Sequence, residues 1–215
     1  RRGAEWSPPP APSLDGDGLP AIARAVAGCR ACPLWSHATQ AVAGEGPADA
    51  KLMIIGEQPG DLEDIAGKPF VGPAGKLFDQ ALAEAGVERA RVFVTNAVKH
   101  FKFEPRGKKR LHKKPGREEI HACRPLLLRE LAAVDPEVVV LLGASAAQAV
   151  LGRSVAVTKA RGQPFRLEDG RWAVVATHPA YVLRLPDREA QARAFADLRA
   201  DLQAAAAVVG APRAA

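Results

Sequence analysis

Nine residues, Arg106 to Lys114, read Arg-Gly-Lys-Lys-Arg-Leu-His-Lys-Lys and set one imidazole, His112, among six cations. A cationic run is ordinarily a solvated face or a phosphate-binding patch. A neutral imidazole within one is suited to act as acid, base or nucleophile beside a nucleic-acid backbone. Gly107 and Pro115 bound the segment, which reads as a loop.

The three cysteines, Cys29, Cys32 and Cys123, are too few and odd in number for a disulfide framework. Cys29-Arg-Ala-Cys32 brings two thiolates to one side of a turn, and Cys123 adds a third from a helix beyond the basic segment. His100, just before that segment, completes a set of four. Three thiolates and an imidazole suit zinc or an iron–sulfur cluster. The plainer alternative is a redox pair with a buried Cys123, although no strand precedes the pair as it does in a thioredoxin-like motif.

Four segments that follow apolar, strand-like runs carry polar or unusual residues: Glu57–Asp61, Asn96–His100, Gly143–Ser145 and His178. Gly56-Glu-Gln-Pro-Gly-Asp61 offers two glycines for close backbone approach to a ligand, with Glu57 and Asp61 as acid–base or water-positioning groups. The alternative is a surface turn with solvated acids. Phe70, in Lys68-Pro-Phe-Val-Gly72, either stacks on a base or fills the core. Asn96 both donates and accepts, as reading of a base edge demands, unless it only satisfies a turn. His178-Pro179 closes the last apolar run, where a single histidine is more often structural. His37 and His121 have no supporting context. No Gly-x-Gly-x-x-Gly is present, and Gly75-Lys76 is followed by Leu77 rather than Ser or Thr, which disfavours nucleotide hydrolysis.

These groups need a scaffold. Strand patterns cover Lys51–Glu57, Arg91–Val98 and Glu137–Leu142, and a hairpin is expected from 163–167 and 172–176 around Asp169-Gly170. Helical spacing covers Ala74–Ala85, Arg117–Ala132, 143–151 and Asp187–Val208. Strands apolar on both faces and alternating with helices predict a parallel α/β sheet covered on both sides, with sites beyond the carboxyl ends of its strands. A Pro- and Gly-rich leader over residues 1–20 is expected to be flexible, followed by one domain over 21–210. The chain has 215 residues, a net charge of +6 and a pI near 9.5, favouring an acidic partner. With no long apolar run and no signal pattern, a cytoplasmic location away from membranes is expected.

Gly56-Glu-Gln-Pro-Gly60, Pro69-Phe-Val-Gly72, Thr95-Asn-Ala-Val-Lys99 and His178-Pro-Ala-Tyr181 resemble, in order and spacing, the iron–sulfur (family 4) branch of the uracil-DNA glycosylase superfamily. The resemblance runs from about Cys29 to the last helix. Within the branch, Lys99-His100-Phe101 in place of a cysteine-bearing strand end, together with His112 in a basic insertion, resembles the UdgX type, whose members become covalently attached to the DNA they excise uracil from. Ala180 departs from that type, which carries Ser there, and matches ordinary family 4 members.

The resemblance implies a three-layer α/β/α fold with a four-stranded parallel sheet and a structural [4Fe–4S] cluster on Cys29, Cys32, His100 and Cys123. It implies uracil contacts from Gly56, Gln58, Gly60, Phe70, Asn96 and His178, and a catalytic set of His112, Glu57, Asp61 and His178, with His112 as the capturing nucleophile. Phosphate contacts are expected from Lys99, Lys102, Arg106, Lys108, Lys109, Arg110, Lys113 and Lys114. The implied partner is uracil-containing DNA, preferably single-stranded, met by a monomer in a single turnover. The rival expectation is an ordinary turnover family 4 enzyme in which the basic segment only binds DNA. A non-catalytic zinc protein that binds nucleic acid is the rival of another class.

Overall fold

The computed structural model describes residues 14, 16 and 18–212. Most of the expected leader lies outside the described residues, and residues 18–20 already belong to the first helix, α1 (Gly18–Ala27).

Four five-residue strands, β1 (Leu52–Gly56), β2 (Val92–Asn96), β5 (Val138–Leu142) and β7 (Trp172–Ala176), run parallel in the order β2-β1-β5-β7. Nearly every residue in them is buried, as strands covered on both faces require. The two-residue period of a strand divides their side chains between two cores. Met53, Ile55, Phe93, Val139, Leu141 and Val175 face α4 (Arg117–Val134) and α5 (Gly143–Leu151). Leu52, Ile54, Val94, Val140 and Val174 face α3 (Pro73–Glu84) and α8 (Arg188–Ala207). The result is the expected three-layer α/β/α sandwich. Outside it, α1 packs on α4 through Ile22, Val26, Cys29 and Leu126.

The expected hairpin forms: the short strand β6 (Phe165–Arg166) pairs antiparallel with β7 and makes the sheet mixed and five-stranded. Short helices α2 (Asp61–Ala66), α6 (Val157–Ala160) and α7 (Pro179–Arg184) fill connections. Among the described residues no helix is long and apolar enough to cross a membrane.

The basic segment departs from the expected loop. It is a hairpin of β3 (Phe103–Arg106) and β4 (Lys109–His112), joined by Gly107-Lys108. Gly107 has φ +59°, and a glycine at the first position of a two-residue turn gives the twist that matches antiparallel strands.

Candidate active site

Parallel strands deliver their carboxyl ends to one edge of the sheet, and the reactive side chains gather there. Gly56 ends β1 and pairs in register with Asn96 at the end of β2. A Cβ on Gly56 would stand 2.4 Å from Asn96 Oδ1 and 2.8 Å from Phe70 Cζ, so only glycine lets these two groups meet over the strand. Phe70 has φ +59°, costly for a bulky residue, and its ring packs 5.1 Å from that of Phe78. Glu63 holds this shape: its Oε1 accepts from Gly72 N (2.8 Å) and its Oε2 from Gly60 N (3.1 Å).

A cavity of about 80 Å³ lies between these groups, lined by Gln58, Gly60, Glu63, Phe70, Asn96, His112, His178 and Ala180, among others. In the same measure one water needs about 10–15 Å³, so the space suits a single small ring with its substituents. His178 caps α7: its Nδ1 accepts from Ala180 N at 3.1 Å, which leaves the proton of the neutral ring on Nε2. Burial pushes its pKa down to about 4 against the pull of Glu57, and Arg184 and His112 lower it further. The ring is therefore a neutral donor at ordinary pH.

The hairpin brings His112 to the mouth of this cavity. His112 Nε2 stands 3.4 Å from Glu57 Oε1, and Glu57 Oε2 accepts a 2.5 Å hydrogen bond from Ser145 Oγ on α5. Burial, and secondarily Arg184, lower the His112 pKa although Glu57 raises it, so the imidazole stays neutral below its ordinary range. Glu57, which the sequence offers as an acid–base group or a solvated acid, is thus clasped between a serine and a histidine.

Several expected DNA contacts are placed differently. Lys99 is wholly buried, its ammonium donating to Glu130 Oε2 (2.6 Å), Thr95 Oγ1 (2.6 Å) and Asn96 O (2.8 Å), so it does not face a phosphate. Arg110 is turned inward, donating from Nε to Asp61 Oδ1 and from Nη1 to Asp64 Oδ2, each at 2.5 Å. Its guanidinium lies 5.4 Å from the ring centre of Phe101 and 5.1 Å from that of Phe103. The Asp61 carboxylate is thereby committed to the hairpin. Gln58 lines the cavity, but its amide spans the hairpin's two legs, donating to Lys102 O (3.2 Å) and Lys113 O (3.0 Å) and accepting from Lys102 N (3.1 Å). Lys102 pairs with Glu119 and Lys113 with Glu104. Arg106, Lys108, Lys109 and Lys114 are exposed.

The cysteines lie buried on the hairpin-bearing side of the fold. Cys123 donates to Cys32; this contact draws Cys32 down to about 7 and, with burial, pushes Cys123 up. Burial raises the Cys29 thiol. Cys29 and His100 line a second cavity of about 290 Å³, and His100 Nδ1 is buried without a hydrogen-bond partner. His100 Nδ1, buried without a protein partner in a cavity it shares with Cys29, is suited to bind an inorganic group. Among the described residues, no three such donors close on one point as a single ion requires. Three thiols and an imidazole are chemically a donor set that an iron–sulfur cluster accepts.

Three contributors have no role assigned from sequence: Glu63, Ser145 and Arg184. Glu63 stands three residues after Gly60, a spacing that signals a side chain reaching back to a helix start. Ser145 lies in the Gly143–Ser145 segment that follows a predicted strand, so its place is legible though its partner is not, and Arg184 carries no local signal.

A family model described as the uracil DNA glycosylase superfamily matches residues 43–203. The chain is 38% identical to the type-4 uracil-DNA glycosylase of Thermotoga maritima over 164 residues, covering 76% of this chain and 82% of that protein. It is 37% identical to the type-4 enzyme of Sulfurisphaera tokodaii, covering 80% of this chain and 78% of the relative. The type-4 enzyme of Archaeoglobus fulgidus is 35% identical, with coverage of 79% and 85%. With the sheet-end cavity, these matches place the chain in the uracil DNA glycosylase superfamily.

Proposed function

We propose that the protein excises uracil from DNA and becomes covalently attached to the resulting abasic site through His112. The carrying observation is His112 at the mouth of the sheet-end cavity, 3.4 Å from Glu57. The exposed cations Arg106, Lys108, Lys109 and Lys114 grip phosphates, and the uridine turns out of the stack or comes from single-stranded DNA. Phe70 stacks on the base. The Asn96 amide accepts from uracil N3–H and donates to O4, a pattern that cytosine reverses. His178 Nε2–H donates to O2 and stabilises the negative charge that uracil acquires as the N1–C1′ bond breaks.

The bonding pair leaves with uracil, and C1′ becomes electron-poor. The unprotonated nitrogen of His112 supplies a lone pair to C1′, and the proton on the other ring nitrogen passes to Glu57. The imidazole is then a poor leaving group, the adduct persists, and the enzyme turns over once. Cys29, Cys32, Cys123 and His100 would hold a [4Fe–4S] cluster, which supplies structural cross-linking between the α1 end and α4 rather than chemistry. The protein works as a monomer on this reading.

The test mixes the protein with an end-labelled single-stranded oligonucleotide carrying one uracil and resolves it on a denaturing gel after boiling. A retarded band is expected. Strand breakage in alkali without a retarded band would leave a turnover type-4 glycosylase, the second reading, which Ala180 and the type-4 relatives favour.

A further inference from the structure

The reactive set on β1, the hairpin and α7 leaves unexplained a buried hydroxyl that belongs to none of them. Ser145 sits in the first turn of α5, is 1% exposed, and gives its proton to Glu57 Oε2 at 2.5 Å. A buried hydroxyl needs a partner, but this partner is the carboxylate whose other oxygen faces His112.

The terminal torsion of a glutamate is broad and roughly two-fold, so packing along its stem does not decide where its oxygens point. Glu57 leaves the end of β1, where Gly56 on one side and the backbone N–H of Val98, which donates to Glu57 O at 3.0 Å, fix only the main chain. The hydroxyl of Ser145 fixes the carboxylate. It occupies Oε2 and leaves Oε1 as the acceptor toward the hairpin. The hydroxyl comes from the neighbouring strand's helix, β5 being paired to β1, so its position is set by the sheet and not by the exposed hairpin.

We propose that Ser145 is a positioning residue for covalent capture: by engaging one oxygen of Glu57 it aims the other at His112, so that the ring proton is accepted as the imidazole bonds to C1′. The inference rests on the capture reading above. It separates two steps. Uracil release depends on Phe70, Asn96 and His178, whereas the hydroxyl of Ser145 gives its proton to Glu57. Capture depends on Glu57 Oε1 meeting the ring proton of His112. Without the hydroxyl the carboxylate rotates toward water, the proton transfer loses its acceptor, and water competes for C1′.

The experiment compares the full-length protein with Ser145→Ala on a single-stranded oligonucleotide carrying one uracil, protein in excess. Released uracil is measured separately from the boiling-resistant adduct and from alkali-labile DNA. In Ser145→Ala, uracil release is expected to stay within about threefold of the unaltered protein, while the adduct's share of product falls roughly tenfold and alkali-labile DNA rises to match. Because uracil release reports a folded pocket, it serves as the internal control. An unchanged adduct share in Ser145→Ala overturns the inference and leaves the capture reading standing. A parallel loss of release and adduct also overturns it, since that marks a structural hydroxyl. Uracil release without adduct in the unaltered protein overturns the capture reading, and this inference with it.

Discussion

The sheet-end cavity and the basic hairpin hold their reactive groups by opposite means. Asn96 and His178 sit at or just beyond the ends of strands buried on both faces, so the ladder that makes the fold also places the side chains. The hairpin has no such support. Among the described residues its strands pair only with each other, and they are largely exposed; His112 is positioned by side-chain contacts to the rest of the fold: Gln58 across both legs, Arg110 into Asp61 and Asp64, Phe101 near its ring. The contrast separates the two halves of the chemistry. On the proposed reading, base recognition belongs to the frame of the fold, while capture belongs to an attachment clamped onto it by a few polar contacts.

Variants that damage one half and spare the other sharpen this contrast. The largest effect is expected from His112→Ser, which should abolish the boiling-resistant adduct yet still release uracil and leave alkali-labile DNA. Persisting adduct would break the division of labour. Next, His178→Ala should slow uracil release by about 10²–10³, the usual cost of losing one donor to a developing oxyanion. Single-turnover assay of released uracil measures it, and the hairpin should remain in place.

Arg110→Met should act chiefly on the hairpin. It leaves the buried Asp64 carboxylate without its guanidinium and costs up to about 3 kcal/mol, water reaching part of the arginine. Thermal melting should shift by several degrees. The adduct's share of product should drop further than the rate of uracil release. An equal loss of both would mean that hairpin and cavity are one mechanical unit.

The pH response follows from His178. Its native pKa of about 4 lies below the roughly 6.5 of an unfolded histidine, so between those values the unfolded chain binds a proton that the native state does not. Stability should therefore fall as pH drops from about 6.5 to about 4, with no further loss from this group below. Melting curves over that window should be flatter for His178→Asn. The lowered pKa of His112 works in the same direction and favours the neutral ring that the proposed capture requires. The smallest effect is expected from Lys108→Ala with Lys109→Ala. If both exposed amines meet phosphate, the slope of log affinity against log salt should fall by roughly 1.4 for a single strand, with the chemistry unchanged.

The same contrast explains what is legible in the sequence. Runs such as Val138–Leu142 announce buried parallel strands, and the residues just past them are where such sheets bind ligands, so the chain's own pattern singles out Asn96, His178, the 56–61 segment and Gly143–Ser145. The hairpin is hidden because its flanks are basic rather than alternately apolar, although Gly107-Lys108 is a two-residue turn. Lys99 reads as a phosphate contact beside other cations, but its carboxylate partner Glu130 lies 31 residues away on α4. The inward turn of Arg110 and the clasp of Ser145 on Glu57 share that cause. Charge in a sequence shows what a side chain can bind, and only the fold shows whether a partner within the protein has already taken it.

The most direct measurement digests the boiled protein–oligonucleotide adduct with protease and nuclease and locates the attached deoxyribose by mass spectrometry. The expected result is one modified peptide, with the sugar on His112. A sugar on any other residue, or an unmodified hairpin peptide beside released uracil, would contradict capture by the hairpin histidine.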